Sequence, residues 1–328
     1  MTSSRTARTG KRAAVVEDVT PQANLLGMTS RGPVVVATDL SDASRPALER
    51  GRAHAQAVGA PLLVCHVVLD VFRSHPLVPN PAENALVLGA NVLARAATLV
   101  TDQVSSVLGS GAANEVRVSV ESGTPEEEIV RLAEANESSL IVVGAKPREG
   151  ARLLLGHVAE RVVRYAHTSV LVARPGKPTG KLLVTTDFSD GSLPALAVAG
   201  EIARSMGTEA TLLHVAKPPS SALPSALMPL GDTWMPPSKA ALEELDRLGL
   251  KTLEGLAKQH GLTRFEQVEG DPADVIVERA RALDVEMIVM GSRGRRGLAR
   301  LVLGSVAEKV IRHSETSVLV ARASDAGA

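Results

Sequence analysis

The sequence lacks the residues that mark several large functional classes. One cysteine, Cys65, in 328 residues excludes an intrachain disulfide and points away from a stapled secreted fold. One Trp, one Tyr and three Phe are too few for a platform that stacks single-stranded bases. The longest uninterrupted apolar run is five residues, Ala195 to Ala199, far short of a membrane span. Neither sign of charge prevails, with 36 Lys+Arg against 36 Asp+Glu, so there is no bulk attraction to phosphate backbones. The expectation is a soluble, cytoplasmic protein with no nucleic-acid and no membrane partner. What is present is a 45% hydrophobic fraction, enough for real cores, in a chain long enough for two domains.

Residues 1–31 carry five basic residues, two acids and no apolar period, which reads as a solvated flexible tail. The remainder is a duplication. Val34 to Asp42, containing Asp39, matches Leu182 to Asp190, containing Asp187, at an offset of 148. His66 and Val67 match His214 and Val215 at the same offset. Thr168-Ser-Val-Leu-Val-Ala-Arg174 recurs unchanged as Thr316 to Arg322. A repeat of this length means two whole domains, 32–175 and 181–323, joined by the turn-rich linker 176–180 and followed by a tail at 324–328.

Within each copy, short apolar runs alternate with segments of helical length. Val34–Thr38, Leu62–Val67, Val116–Val120, Leu140–Val143 and Ser169–Ala173 read as strands. Thr124-Pro-Glu-Glu127 reads as a capping box, and Asp271-Pro272 repeats it with an Asp cap. Several strands are apolar on both faces, as central parallel strands are. The pattern predicts α/β domains with helices over a mostly parallel sheet. Ser189 is the expected cap of the helix after Asp187, leaving that carboxylate for other work. His66, His214 and Cys65 read as structural. Long proline-rich connections follow the second strand of each copy, one through Pro76, Pro79 and Pro81, the other from 218 to 237.

The most informative segment runs from Ile288 to Ser305. It leaves a strand, passes Gly291, Arg293 and Gly294, and ends at Gly304-Ser305, where a helix begins. Glycine lets backbone approach a ligand closely. The amides of Gly304, Ser305 and Val306 open that helix, where the dipole favours an anion. Arg293, Arg295, Arg296 and Arg300 give the loop +4 with no acid, which suits a phosphate chain. Ligands of doubly wound sheets bind beyond the carboxyl ends of the strands, so Asp187 and this loop are expected to face one crevice.

The spacing Gly-x2-Gly-x9-Gly-Ser, the Asp ending strand one, Leu-His-Val in strand two and the closing Ser-Val-Leu-Val resemble the signature of the ATP-binding universal stress proteins. The resemblance covers nearly everything from 32 to 322. It implies two flavodoxin-like, Rossmann-like five-stranded domains of strand order 3-2-1-4-5. It implies ATP, with Mg2+ held by the phosphates, on Thr185, Thr186, Asp187, Val215, Met290, Gly291, Arg293, Gly294, Gly304, Ser305 and Val306. For Met290, core packing is an equal reading. Single-domain members dimerise through their last strands, which implies an intramolecular pseudo-dimer here, pairing 170–173 with 318–321, with homodimerisation of the whole chain as a further option.

The first copy departs from that signature. Its loop, Gly144 to His157, is one residue shorter, places Pro147 where Gly294 stands, and carries only +2. Proline has no N–H to offer a phosphate, so weak or no ATP binding is expected there, or a smaller adenine ligand beside Asp39. No nucleophile elbow, Walker loop or zinc spacing occurs. The expectation is a stress-response binding module rather than an efficient enzyme. The rivals are a slow ATPase or self-phosphorylating protein with Ser305 as acceptor, and a nucleotide-free scaffold.

Overall fold

The computed structural model describes residues 11–15 (backbone only), 32–69, 90–112, 115–145, 155–217, 238–294 and 303–323. The strands are β1 (Lys11–Val15), β2 (Val34–Ala37), β3 (Leu62–Leu69), β4 (Arg117–Gly123), β5 (Leu140–Gly144), β6 (Ser169–Ala173), β7 (Lys181–Thr186), β8 (Glu209–Ala216), β9 (Arg264–Glu269), β10 (Met287–Gly291) and β11 (Ser317–Ala321). The helices are α1 (Arg45–Val58), α2 (Ala90–Leu108), α3 (Pro125–Ala135), α4 (His157–Tyr165), α5 (Leu193–Met206), α6 (Lys239–His260), α7 (Pro272–Ala282) and α8 (Ser305–His313).

The strands form one sheet in the order β1-β9-β8-β7-β10-β11-β6-β5-β2-β3-β4. Each copy therefore has the order 3-2-1-4-5, and the two meet back to back. All pairings within a copy are parallel. The last strands, β6 and β11, pair antiparallel, with Leu171 opposite Leu319. This is the pairing expected from the repeated Ser-Val-Leu-Val, and it covers two strand edges that would otherwise be exposed. Lys11–Val15, inside the segment read as a tail, forms a strand antiparallel to β9.

Alternate strand residues feed two cores, one on each face of the sheet. On one face Val35, Ile141, Val170, Ile288 and Val318 pack under α3, α4, α7 and α8. On the other Val36, Val142, Leu171, Val289 and Leu319 pack under α1, α2, α5 and α6. Both cores run unbroken through the seam between the copies, which is why β6 and β11 are buried along their whole length.

The seam is also latched by a reciprocal exchange of arginines. Arg174, 1% exposed, donates from its guanidinium to the carbonyls of Ile311, at the end of α8, and Thr316. Arg322 donates to the carbonyls of Val163 (2.6 Å) and Arg164 (3.3 Å), at the end of α4. Each copy thus places a cation on the negative end of the other's helix. Burial pushes the Arg174 guanidinium down to about 10, which leaves it charged at neutral pH.

The capping expectations divide. Asp271 accepts from the Ala273 amide at 3.2 Å, as read. Thr124 occupies the cap position of α3, but its side chain makes no capping bond. Glu126, Glu127 and Glu128 in the first turn supply negative charge to that helix end instead.

Candidate functional site

The strand ends of the C-terminal copy are built by backbone that only particular residues allow. β7 delivers Thr185 and Thr186, both buried, and stops at Asp187. Phe188 then takes φ 62°, an αL kink that non-glycine residues rarely adopt. The kink turns the Ser189 N–H onto the Asp187 carboxylate at 3.1 Å, and the Ser189 hydroxyl donates to the same oxygen. This corrects the expectation that Ser189 caps the helix and leaves Asp187 uncommitted. Ser189 is a donor to Asp187, whose Oδ1 ties down the turn. The Thr186 hydroxyl accepts from the Phe188 amide and pairs with Ser192.

His214 and His66 hold these strand ends in place. The Nδ1–H of His214 donates to the Thr186 carbonyl (2.8 Å), and that of His66 to the Thr38 carbonyl (2.9 Å). The His214 ring also lies 4.1 Å from that of Phe188. Both histidines are structural in these contacts, as their place in the strands suggested. Cys65 is a buried free thiol whose pKa burial, with Glu121 and Glu128 nearby, pushes up to about 12. It is an inert core thiol.

The glycine loop meets Asp187 directly. A Cβ on Gly294 would lie 2.7 Å from Asp187 Oδ2, and one on Gly291 would lie 2.2 Å from the Gly191 carbonyl. Only glycine permits the second approach, which is against backbone, and a side chain at the first would push the Asp187 carboxylate aside. Gly191 in turn lets the Arg293 carbonyl pass, since a Cβ there would sit 3.0 Å from it. The loop is tied at its base. The Ser292 amide donates to Ala321, and the Gly304 amide donates to the Ser292 carbonyl at 2.9 Å. The Gly304 N–H is therefore committed to the loop, and the expected set of three amides at the helix start reduces to Ser305 and Val306. Their N–H groups precede the first intrahelical bond. Gly304 is the cap of α8 and Ser305 its first, exposed residue.

The remaining expected site residues are placed as follows. Val215 is half-buried near the end of β8. Met290 is 4% exposed within the core, so packing accounts for its side chain. Arg293 is half-buried and Gly294 exposed. Arg295, Arg296 and Arg300 lie outside the described residues, as do Lys146, Pro147, Arg148, Glu149 and Arg152 of the first loop and both proline-rich connections. Among the described residues no group of three or more His, Cys, Asp or Glu could hold a metal ion, and no helix is long and apolar enough to cross a membrane.

Comparison with known proteins accords with this architecture. The universal stress protein family matches the chain twice, over residues 30–174 and 178–322. The chain belongs to the universal stress protein family. A universal stress protein of Methanocaldococcus jannaschii is 36% identical over 143 residues, 43% of this chain and 81% of that protein. One of Mycobacterium bovis is 29% identical over 312 residues, 89% of this chain and 97% of the relative. The crystal structure of a universal stress protein from Archaeoglobus fulgidus superposes with a TM-score of 0.65 at 22% identity, covering 90% of this chain and 99% of that one. This is therefore a tandem universal stress protein, with the α/β sheet order that the resemblance implied.

The two universal stress protein copies differ at one residue that the sequence did not flag. Gln103, from α2, accepts from the Thr38 hydroxyl (2.6 Å) and donates to the Ser41 carbonyl (3.2 Å). It bridges the strand end beside Asp39. Asp39 Oδ1 also takes donors from Ser41 and Ser44. In the C-terminal copy Ser192, the counterpart of Ser44, turns instead to Thr186 and the Ser189 carbonyl.

Proposed function

We propose that the C-terminal copy binds ATP and that the chain works in the cytoplasm as a stress-response binding and regulatory module. The observation that carries this reading is the close approach of the glycine loop to the strand-end carboxylate, where a Cβ on Gly294 would lie 2.7 Å from Asp187 Oδ2. A carboxylate at a strand end accepts hydrogen bonds from nucleoside hydroxyl or amino groups. The start of α8, with the Ser305 hydroxyl and the amides of Ser305 and Val306, favours an anion. Arg293 adds fixed positive charge beside the loop. In this reading Asp187 and Val215 hold the nucleoside, while the phosphates lie along the glycine loop, from Gly291 and Gly294 to Gly304 and Ser305. Mg2+ travels with the phosphates and supplies charge neutralisation there. The first copy lacks the glycine at position 147 and has its strand end bridged by Gln103, so a single nucleotide site per chain is expected.

Mass spectrometry of small molecules released from the purified, denatured chain tests this reading. The expected result is ATP in wild type and its loss in Asp187→Ala. Ser305, exposed at the helix start, is the natural acceptor if the bound nucleotide reacts. Incubation with γ-labelled ATP separates the two cases: intact retained ATP supports a binder, whereas label on the protein or released phosphate supports slow turnover.

A further inference from the structure

We propose that Arg322 is a positioning residue that couples occupancy of the C-terminal glycine loop to the latch between the two copies. This inference rests on the nucleotide reading above and adds a regulatory consequence to it.

The two structures to be coupled share a single short segment. The glycine loop begins at Ser292, whose amide donates to the Ala321 carbonyl at 3.2 Å, and it closes where the Gly304 amide donates back to Ser292 at 2.9 Å. Arg322 is the next residue after Ala321. Its own amide donates to Ser169 Oγ at 3.2 Å, and its guanidinium donates to the carbonyls of Val163 and Arg164. A displacement of the loop base is thus passed directly to a residue anchored in the other copy.

Charge gives the coupling its sign. Arg293, in the loop, lies close enough to Arg322 to disfavour its charge, in addition to the effect of burial. Two guanidinium groups near each other repel, and partial burial weakens the screening that would hide this. An anion bound beside Arg293 offsets the repulsion and strengthens the hold of Arg322 on the end of α4. By linkage, a firmly held Arg322 favours the anion to the same extent. Arg174 is latched in the same manner on the other side.

Hydrogen exchange of the full-length chain tests this, with Mg-ATP and adenosine as probes. The readout is the set of backbone amides at 162–166, around the carbonyls that Arg322 holds. Saturating Mg-ATP is expected to slow their exchange by about fivefold, the lower end of typical couplings. Saturating adenosine, which brings no phosphate to Arg293, should leave them unchanged. Arg293→Ala removes the repulsion outright, so it should show the raised protection at 162–166 already without nucleotide, and saturating Mg-ATP should add nothing to it. Nucleotide binding by calorimetry without any change at 162–166 overturns the coupling and leaves the nucleotide reading intact. An equal gain with adenosine, or a wild-type basal level in Arg293→Ala that Mg-ATP still raises, overturns the charge mechanism. Absence of any ATP binding by wild type removes both.

Discussion

The two strand ends Thr38-Asp39 and Thr186-Asp187 carry one motif in two settings. Each Asp anchors the turn after its strand through the serine two residues on, and each follows a threonine whose carbonyl is held by a histidine. The surroundings differ. Beside Asp39 a glutamine from α2 bridges the turn. Beside Asp187 a glycine loop approaches so closely that a Cβ would lie 2.7 Å from the carboxylate. Duplication kept the scaffold, and the side chains around the crevices diverged. The motif at a strand end thus builds a turn in either copy, and a ligand site depends on what stands opposite it.

If the scaffolds are equivalent, disrupting either should be equally damaging. Gly291→Val drives a side chain against the Gly191 carbonyl, and Gly144→Val drives one against the Ala43 carbonyl 2.5 Å away. Each is expected to cost about 3 kcal/mol, measured by urea denaturation. A large cost in one copy and a small cost in the other would break the equivalence. The latches come next. Arg174→Met leaves the Ile311 and Thr316 carbonyls without their charged donor and should cost about 2 kcal/mol. Arg322→Met, at a less buried position, should cost less in the same assay.

Smaller effects sharpen the contrast. Gln103→Leu removes the bridge that, among the described residues, is seen in the first copy. It should cost about 1 kcal/mol and leave nucleotide binding unchanged in calorimetry. His54, on α1, has Ile202 as its counterpart on α5, so only one copy titrates at this position. Burial lowers the His54 pKa from its usual 6.5. The unfolded chain then takes up a proton before the folded one does, and stability present above pH 6.5 falls as pH drops toward the folded value. His54→Leu should flatten the acid limb of a stability-against-pH curve over that window, and an unchanged limb would place the titrating group elsewhere.

The parts of this architecture that depend on pattern were legible in the sequence. Alternating apolar runs, the offset of 148 and the recurring Ser-Val-Leu-Val announced the strands, the duplication and the pairing of β6 with β11. The meeting of Asp187 with the glycine loop followed from strand order. The arginine latch was not legible, although both arginines stand in the repeat, because its acceptors are backbone carbonyls that leave no trace in side-chain identity. Gln103 was missed because the connections before α2 and α6 differ in length, so the helices do not keep the offset of the strands. The bond from Ser189 to Asp187 depends on an αL conformation at Phe188, and a phenylalanine gives no warning of it. The strand at Lys11–Val15 sits in a short basic segment without alternation, and it takes its order from the edge of β9.

The most direct test of the account is the number of ATP molecules bound per chain, measured by calorimetry on the full-length protein with Mg2+ present, in wild type and in Gly294→Pro. The account predicts one ATP per wild-type chain and none for Gly294→Pro, because proline both fills the space beside Asp187 and removes an amide from the loop. No binding by wild type, two molecules per chain, or equal binding by the variant would contradict it.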